Sequence, residues 1–313
     1  MIYIVKRLLA LGTILLASSF AVFGGLYLAP GSPEQFLVQG RTVTPEVLAS
    51  IRAQYSLDDP FLVRYFNWLW GVIQGDFGQS LANRQEVAEL IAGRLPTTLS
   101  LTLYAALIIV VGGIGLGCLA GLRPGWLENV VLFGSNLGFA VPTFFAALLL
   151  MSVFGVMLGW FPVFGSGEGL AGRLHHLTLP ALALALPSLA VVARITRTAV
   201  KEERESEHAQ TARSRGVLER IVIRRHVLRN SMLPVSTVSG VHVAALLAGA
   251  FVVEYAFTLD GIGALLVAAV QQKDFAVVQA VSLIMVVAFG LINLAVDLLY
   301  VVIDPRVRLG AAS

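Results

Sequence analysis

The sequence predicts an all-α integral membrane protein with about six transmembrane helices and with both termini in the cytoplasm. The first observation is composition: 57% of the residues are hydrophobic, 13% are charged, and the mean hydropathy is +0.81. A soluble domain carries about a quarter of its residues as charges. So few charged side chains cannot cover the surface of a water-soluble protein of this length.

Six stretches without Asp, Glu, Lys or Arg are the second observation. Each has room for the roughly 20 residues with which a helix crosses about 30 Å of hydrocarbon. In lipid every backbone amide must be bonded within its own segment, so each stretch is expected to be helical. They run from Leu8 to about Ala29, and then lie between 94 and 123, 128 and 168, 173 and 194, 229 and 254, and 274 and 297.

Two of these stretches allow more than one interpretation. The first could be a cleaved signal peptide after Lys6 and Arg7, but its uncharged length exceeds a usual signal core, which favours a retained helix. The third, which holds Pro142 and Pro162, is long enough for one helix with an ordered outer loop. It is too short for two spanning helices joined by a turn.

The distribution of Lys and Arg is the third observation. With the N-terminus inside, the inner segments carry fifteen of these residues and the outer segments seven, five of them in one long loop. Cytoplasmic loops are enriched in Lys and Arg, so both termini are expected to face the cytoplasm. The basic tract of ten Lys and Arg between Arg194 and Arg229 then needs no nucleic acid to explain it.

The outer segment 31–95 is too long to be a bare connector. Thr44-Pro45 resembles a helix start, with a capping residue followed by proline at the first helical position. Aromatic residues at positions 65–70 suit the membrane interface. The segment is either a helix lying on the headgroups or a cap that meets an outside partner.

The inner tract 198–230 is predicted to be a helix–glycine–helix hairpin. Residues 198–215 contain no Gly or Pro and are expected to be helical, Gly216 to end that helix, and an apolar helical period to resume at Val217. The hairpin is either a charged connector or a docking element for a cytoplasmic partner. Pro234 falls near the point where the chain re-enters the membrane.

No catalytic or nucleotide-binding motif accompanies these features. The only lysines are Lys6, Lys201 and Lys273, so no Gly-Lys-Ser/Thr phosphate loop exists, and no Cys/His cluster has metal-site spacing. We expect no cofactor, metal or nucleic acid in this chain.

Three ionisable groups lie in or beside the spans. Glu254 and Asp297 fall near span ends, where they would either snorkel to the interface or relay protons, and we expect the former. His242 falls near mid-span and either lines a pathway or packs against a neighbour. The glycines of the second and fifth spans are interpreted as helix-packing positions, namely Gly112, Gly113, Gly115, Gly117 and Gly249.

The order and spacing of several short motifs resemble the permease subunits of bacterial ABC importers for dipeptides, oligopeptides and nickel. The outer loop carries LDDP at 57–60 and GDFGQS at 75–80, followed by LPTTL at 95–99. Further along come HLTLPA at 176–181, TARSRG at 211–216, HVLRN at 226–230, EYAF at 254–257, GIG at 261–263 and DPR at 304–306.

That resemblance implies the type I importer permease fold, arranged as a first helix (1–30), an outer loop or cap (31–95) and a five-helix core (96–313). The hairpin is similar to the loop that couples permeases to their ATPases, and its seat would be Thr211, Ala212, Arg213, Ser214, Arg215 and Gly216. Thr211 departs from the acidic residue of the broader signature, which weakens any salt bridge from that position. The arginines would pair with acidic residues of the ATPase or line the lipid surface. By the same resemblance, the outer loop with Trp68, Trp70 and Phe77 would shape the outer mouth of the pathway.

The resemblance also implies partners and a function. They are a second permease subunit, two ATPase subunits that hold the ATP and Mg²⁺, an outside solute-binding protein and membrane lipid. The chain itself would be non-catalytic and would pass dipeptides or oligopeptides through the bacterial inner membrane. A nickel or metal-chelate importer, a stand-alone secondary transporter and a membrane-anchored scaffold are the alternatives.

Overall fold

The computed structural model describes residues 2–28, 59–80 and 82–303, and the secondary structure in this part is helical apart from one antiparallel bridge between Gln79 and Glu86. The helices of this part are α1 (Ile2–Leu28), α2 (Phe61–Ile73), α3 (Val87–Leu122), α4 (Trp126–Ala140), α5 (Thr143–Met157), α6 (Gly169–Glu205), α7 (Glu207–Ser214), α8 (Glu219–Ala256), α9 (Ile262–Gln272) and α10 (Phe275–Ile303).

Helix lengths agree with the predicted membrane fold of about six spans. In the described part α3, α6, α8 and α10 are each long and apolar enough to cross a membrane, and the bent pair α4–α5 makes a fifth candidate. Helix α1 has 27 residues, which is about 40 Å of helix, and its segment Leu9–Gly25 is apolar.

The third predicted span is a bent pair and not the single helix that we expected. Helices α4 and α5 meet at an angle of 108° across Val141 and Pro142. A residue before proline is pushed out of the α region, and Val141 is extended, with φ −83° and ψ 119°. Each of the two helices has 15 residues or roughly 22 Å, so neither crosses the hydrocarbon alone.

The chain divides into two compact units, one comprising Met1–Pro96 with Gly261–Gly290 and the other Thr97–Asp260 with Leu291–Ser313. In the first unit, the start of α3 packs with α9 and the start of α10 around a buried apolar cluster that includes Val87, Ile91, Ile262 and Val277.

In the second unit α6 is the central helix, and it packs against α3 through a stripe of glycines. A β-carbon at Gly113, Gly117 or Gly121 would lie within 3 Å of α6, against Val192, Thr196 and Val200 respectively. Because these positions are four residues apart, they form one face that lets the two backbones approach closely.

The glycine predictions can be judged one by one. Gly112, Gly113 and Gly117 pack against α6, and Gly249 packs against Leu184, as predicted. Among the described residues no atom lies within 4 Å of a β-carbon built at Gly115, so the packing predicted for it is not found within this chain. Gly121, which the sequence analysis did not single out, belongs to the same stripe.

Several predictions fall outside the described residues. These are the helix start at Thr44-Pro45, the LDDP residues before Asp59, the side chain of Asp297 and the terminal DPR motif.

Candidate functional site

The cytoplasmic hairpin begins where α6 ends, at Ser206. The sequence predicted one helix over residues 198–215, but α6 ends at Glu205 and α7 begins at Glu207. Glu203 and Glu207 would be like charges one turn apart in a continuous helix, which disfavours continuing it. Ser206 is extended, with ψ 151°, and its hydroxyl donates to the Glu203 carbonyl at 2.6 Å.

The turn at Gly216 has the geometry that the sequence predicted for a helix end. Gly216 has φ +75°, and its amide donates to the carbonyl of Arg213 at 2.9 Å. The Val217 amide donates to the carbonyl of Ala212 at 3.1 Å. These two bonds together form the Schellman arrangement, in which a left-handed residue closes a helix.

An ion pair fixes the turn from the other side. Arg213 donates from Nε and Nη2 to the two carboxylate oxygens of Glu219 at 2.9 and 3.0 Å. Its Nη1 donates to the Arg204 carbonyl at 2.8 Å. The Glu219 carboxylate raises the pKa of the Arg213 guanidinium, which therefore keeps its charge. One side chain thus ties together the end of α6, α7 and the start of α8.

The base of the hairpin is a small apolar core. Val200 of α6, Ala209 and Ala212 of α7, and Val222 and Val227 of α8 are buried together. Cys118 and Leu122 at the end of α3 pack against this core, and the Arg204 guanidinium donates to the Leu122 carbonyl at 3.2 Å. Residues Val222–Val227 form a π-helical stretch, which the sequence analysis did not predict.

The exposed side of the turn carries both apolar and polar side chains. Leu218 is 71% exposed, and Ile221, three residues later, is 44% exposed. Thr211, Ser214 and Arg215 are exposed on the neighbouring end of α7. We call these five residues the hairpin tip.

The predicted seat residues therefore divide between two environments. Thr211, Ser214, Arg215 and Gly216 are exposed at the turn, whereas Ala212 faces the apolar core of the hairpin. Arg213 is already paired with Glu219 of its own chain. Leu218 and Ile221 were missed because an aliphatic residue in a helical period is expected to be buried, and only the tertiary packing shows which ones are not.

Polar contacts join the two arms of the hairpin, namely the end of α6 with α7 and the start of α8. The imidazole Nε2 of His208 lies 3.1 Å from a Glu203 carboxylate oxygen and 3.1 Å from Nδ2 of Asn230. Asn230 ends the HVLRN motif, so this motif helps to hold the two arms of the hairpin together.

The predicted mouth aromatics occupy three different environments. Trp68 packs beside Phe23 of α1, with ring centroids 5.3 Å apart. Trp70 is 64% exposed, and Phe77 packs on the cluster formed by the start of α3 with α9 and α10.

His242 is half-buried between α8 and α6, where its Nδ1 lies 3.2 Å from the Ser188 hydroxyl. Among the described residues no group of three or more His, Cys, Asp or Glu is placed to hold a metal ion.

Glu254 does not snorkel to the interface, and that prediction is wrong. Its side chain is fully buried, and the Thr98 hydroxyl donates to its carboxylate at 2.6 Å. A buried carboxylate is retained when hydrogen-bond donors replace its water. The contact joins the LPTTL and EYAF motifs, which lie 156 residues apart in the sequence.

The GDFGQS motif makes a second long-range contact. The Ser80 hydroxyl donates to the buried Asp274 carboxylate at 2.5 Å, and the Ala82 amide donates to the same oxygen at 3.2 Å. Gly75 and Gly78 have φ of +87° and +80°, which explains why the turn contains glycine. The motif fastens the outer loop to the α9–α10 turn.

These features define a class: a multi-pass helical membrane protein that carries a rigid cytoplasmic hairpin and no nucleotide-binding motif of its own. The family described as "Binding-protein-dependent transport system inner membrane component" matches residues 113–309, and its N-terminal companion family matches residues 1–102. The chain belongs to this family and is a permease component of the inner membrane.

Curated relatives cover nearly the whole chain. The chain is 38% identical over 307 residues to the glutathione transport system permease protein GsiC of Salmonella choleraesuis (strain SC-B67), which covers 98% of each. It is 39% identical over 309 residues to a putative peptide transport system permease protein of Brucella abortus (strain 2308), covering 97% of this chain and 98% of that one.

Solved structures share the fold. A chain of the inward-facing MetNI methionine ABC transporter matches with a TM-score of 0.55 and 17% identity, covering 69% of this chain and 96% of that one. An amino acid ABC transporter crystallised with histidines matches with a TM-score of 0.53 and 18% identity, covering 70% and 94%. The predicted ABC importer permease fold is confirmed.

Proposed function

We propose that this chain forms one half of the translocation pathway of an ATP-driven importer for dipeptides or oligopeptides. The similarity to permeases named for peptide and glutathione transport, over nearly the full length of the chain, supports this substrate class. Glutathione is itself a short peptide, so the two names describe related chemistry.

The transport cycle needs partners that supply energy and substrate. A second permease subunit completes the pathway, two ATPase subunits bind ATP and Mg²⁺ below it, and a solute-binding protein delivers the peptide from outside. The chain itself is non-catalytic, since it has no phosphate-binding loop that could hold ATP. Its work is to change conformation when the ATPases close.

The observation that carries the coupling role is the combination of a rigid turn with an exposed apolar tip. Two backbone hydrogen bonds and a bidentate ion pair hold the turn, so a movement of the tip displaces the adjoining helices and does not deform the turn. Leu218 and Ile221 expose aliphatic surface beside the positive charge of Arg215. We infer that the ATPase offers an apolar cleft with an acidic rim to this tip.

A pair of substitutions at one residue tests the coupling role. Leu218→Asp places a charge where the cleft requires an apolar group, whereas Leu218→Met keeps the apolar volume. In the assembled transporter, Leu218→Asp is expected to lose the ATPase on purification and to lose ATP-driven uptake of a labelled dipeptide into liposomes. Leu218→Met is expected to retain both.

Several results would contradict the proposal. Retention of ATPase binding and of uptake by Leu218→Asp would remove the hairpin tip from the docking surface. Dipeptide uptake by the purified chain without any ATPase would identify a secondary transporter. Uptake of labelled nickel in place of the dipeptide, by the wild-type assembly with its own binding protein, would overturn the substrate class.

A further inference from the structure

Helix α2 has three distinct faces. Phe61, Tyr65 and Trp68 share one face and pack against α1. Arg64, Asn67 and Gly71 share a second, narrow polar face. The chain after α2 folds back over this face, where the Asp76 amide donates to the Gly71 carbonyl at 2.9 Å. The third face is apolar and exposed in this chain, and consists of Leu62, Phe66, Trp70 and Ile73.

The contact between α2 and α1 is specific. The Tyr65 hydroxyl lies 2.7 Å from the Ser19 hydroxyl and donates to the Leu16 carbonyl at 3.5 Å. The rings of Phe20 and Phe23 lie 5.3 and 5.7 Å from the Tyr65 ring. Ser19 and Phe23 are the two buried side chains among those described in α1, so α2 covers the part of α1 that is most protected.

The position of this contact along α1 gives its depth in the membrane. The uncharged part of α1 begins at Leu8, directly after Lys6 and Arg7 on the cytoplasmic side. At 1.5 Å per residue, Ser19 lies about 16 Å and Phe23 about 22 Å above that boundary. With roughly 30 Å of hydrocarbon, both residues are in the outer half of the bilayer and below its surface.

A second contact, counted from the outer end of α10, also places Ser19 inside the hydrocarbon. A β-carbon on Gly290 of α10 would lie 2.4 Å from Leu11, so these two positions are at one level. Gly290 is about 22 Å along α10 from its outer end at Phe275, which leaves Leu11 about 8 Å above the inner boundary. Ser19 is then about 20 Å above that boundary and again well inside the hydrocarbon.

We propose that α2 lies within the outer leaflet of the membrane beside α1, with its third face against lipid acyl chains. In a water-exposed cap these four large apolar side chains, each 57–68% exposed, would face solvent. A contiguous exposed apolar patch more often marks a surface that contacts lipid or a protein partner. The exposed side chains Leu16 and Phe20 of α1 lie at the same level, so the apolar surface continues from α1 onto α2. The helix would anchor the outer loop in the membrane rather than receive the solute-binding protein.

Tryptophan fluorescence in the assembled transporter tests this placement. The chain has four tryptophans, at 68, 70, 126 and 160, so variants that keep only Trp70 or only Trp68 can be made with phenylalanine at the other positions. A variant with phenylalanine at all four positions gives the emission of the partner subunits, which is subtracted. In liposomes of phosphatidylcholine with brominated acyl chains, Trp70 is expected to lose most of its emission, because its exposed ring meets the bromines. Aqueous acrylamide is expected to leave it unchanged. Trp68, shielded by Phe23, is expected to lose less emission to bromine.

Other outcomes overturn the proposal. Quenching of Trp70 by acrylamide with a red-shifted emission would place α2 in water. Protection of Trp70 from both quenchers would mean that a protein partner covers this face. A second measurement introduces Phe66→Cys into the otherwise unchanged chain, with ordinary peptide uptake confirming the fold, and the unsubstituted chain gives the background labelling of Cys118. Labelling of the Phe66→Cys variant above that background by a membrane-impermeant maleimide would also refute immersion in lipid.

Discussion

Replacing Gly117 by alanine is expected to separate α3 from α6 at the point where both approach the hairpin. The new β-carbon would lie 2.4 Å from the Thr196 β-carbon and 2.6 Å from the Ala193 carbonyl oxygen. Neither atom can rotate away, because one is attached to the backbone and the other belongs to it. Restoring an ordinary contact of about 3.5 Å requires the helices to move apart by about 1 Å.

Gly115 provides a matched control two residues away in the same helix. A β-carbon there meets nothing within 4 Å. Alanine gains up to about 1 kcal/mol over glycine in a helix interior, and this gain is common to both variants. The difference between Gly117→Ala and Gly115→Ala therefore isolates the cost of overpacking, which we expect to be about 1–3 kcal/mol.

Thermal unfolding of the purified assembly in detergent measures this difference. Gly115→Ala is expected to unfold at or above the wild-type midpoint, and Gly117→Ala several degrees below it. Equal midpoints for the two variants would refute the reasoning, since the close approach of α3 and α6 would then contribute no steric constraint. A drop for Gly115→Ala alone would mean that its exposed face is covered in the assembly.

Three further predictions concern the motif residues. Gly216→Val is expected to lower ATP-driven uptake more than Gly216→Asn does, because asparagine tolerates the left-handed φ of +75° and valine does not. Equal uptake by the two variants would show that transport does not depend on the left-handed turn at this residue. Thr98→Val removes a hydrogen-bond donor from the buried Glu254 carboxylate and is expected to lower the free energy of unfolding by about 1–3 kcal/mol, which a lower thermal unfolding midpoint would show. An unchanged midpoint would mean that this hydrogen bond does not stabilise the fold. Ser80→Ala removes the hydrogen bond that holds the outer loop to Asp274, so proteolysis near residues 76–86 is expected to become faster while the rest of the chain stays protected. An unchanged cleavage rate would mean that this bond does not hold the loop in place.

The motifs of the outer loop illustrate how far local sequence reasoning reaches. The glycines of GDFGQS predict a turn, and the turn is there. That the Ser80 hydroxyl reaches a buried aspartate 194 residues later is set by tertiary packing, because no local pattern specifies which distant chain will meet a turn. The burial of Glu254 was missed for the same reason. A charge at the end of a span can either snorkel to the interface or be buried, and only the position of its donor, the Thr98 hydroxyl on α3, distinguishes the two.

The hairpin shows the same division. Gly216 predicted the end of α7 because only a residue that tolerates positive φ closes a helix in this way. The break at Ser206 was missed because no proline or glycine marks it, and the bonds of Arg213 stabilise the two helices on either side only after they have folded together.

Composition and charge pattern were enough to predict a helical membrane protein, the apolar stretches that cross the bilayer apart from the bend in the third, and termini on the cytoplasmic side. Those properties follow from composition and charge summed over long segments, and the bilayer imposes them whatever the neighbours are. Only the packed structure shows that a span bends at Pro142, that Glu254 is buried, that Leu218 is exposed and that α2 packs on the C-terminal half of α1. Each of these depends on which surfaces meet, and the energy of a packed contact is shared between residues that are far apart in the chain.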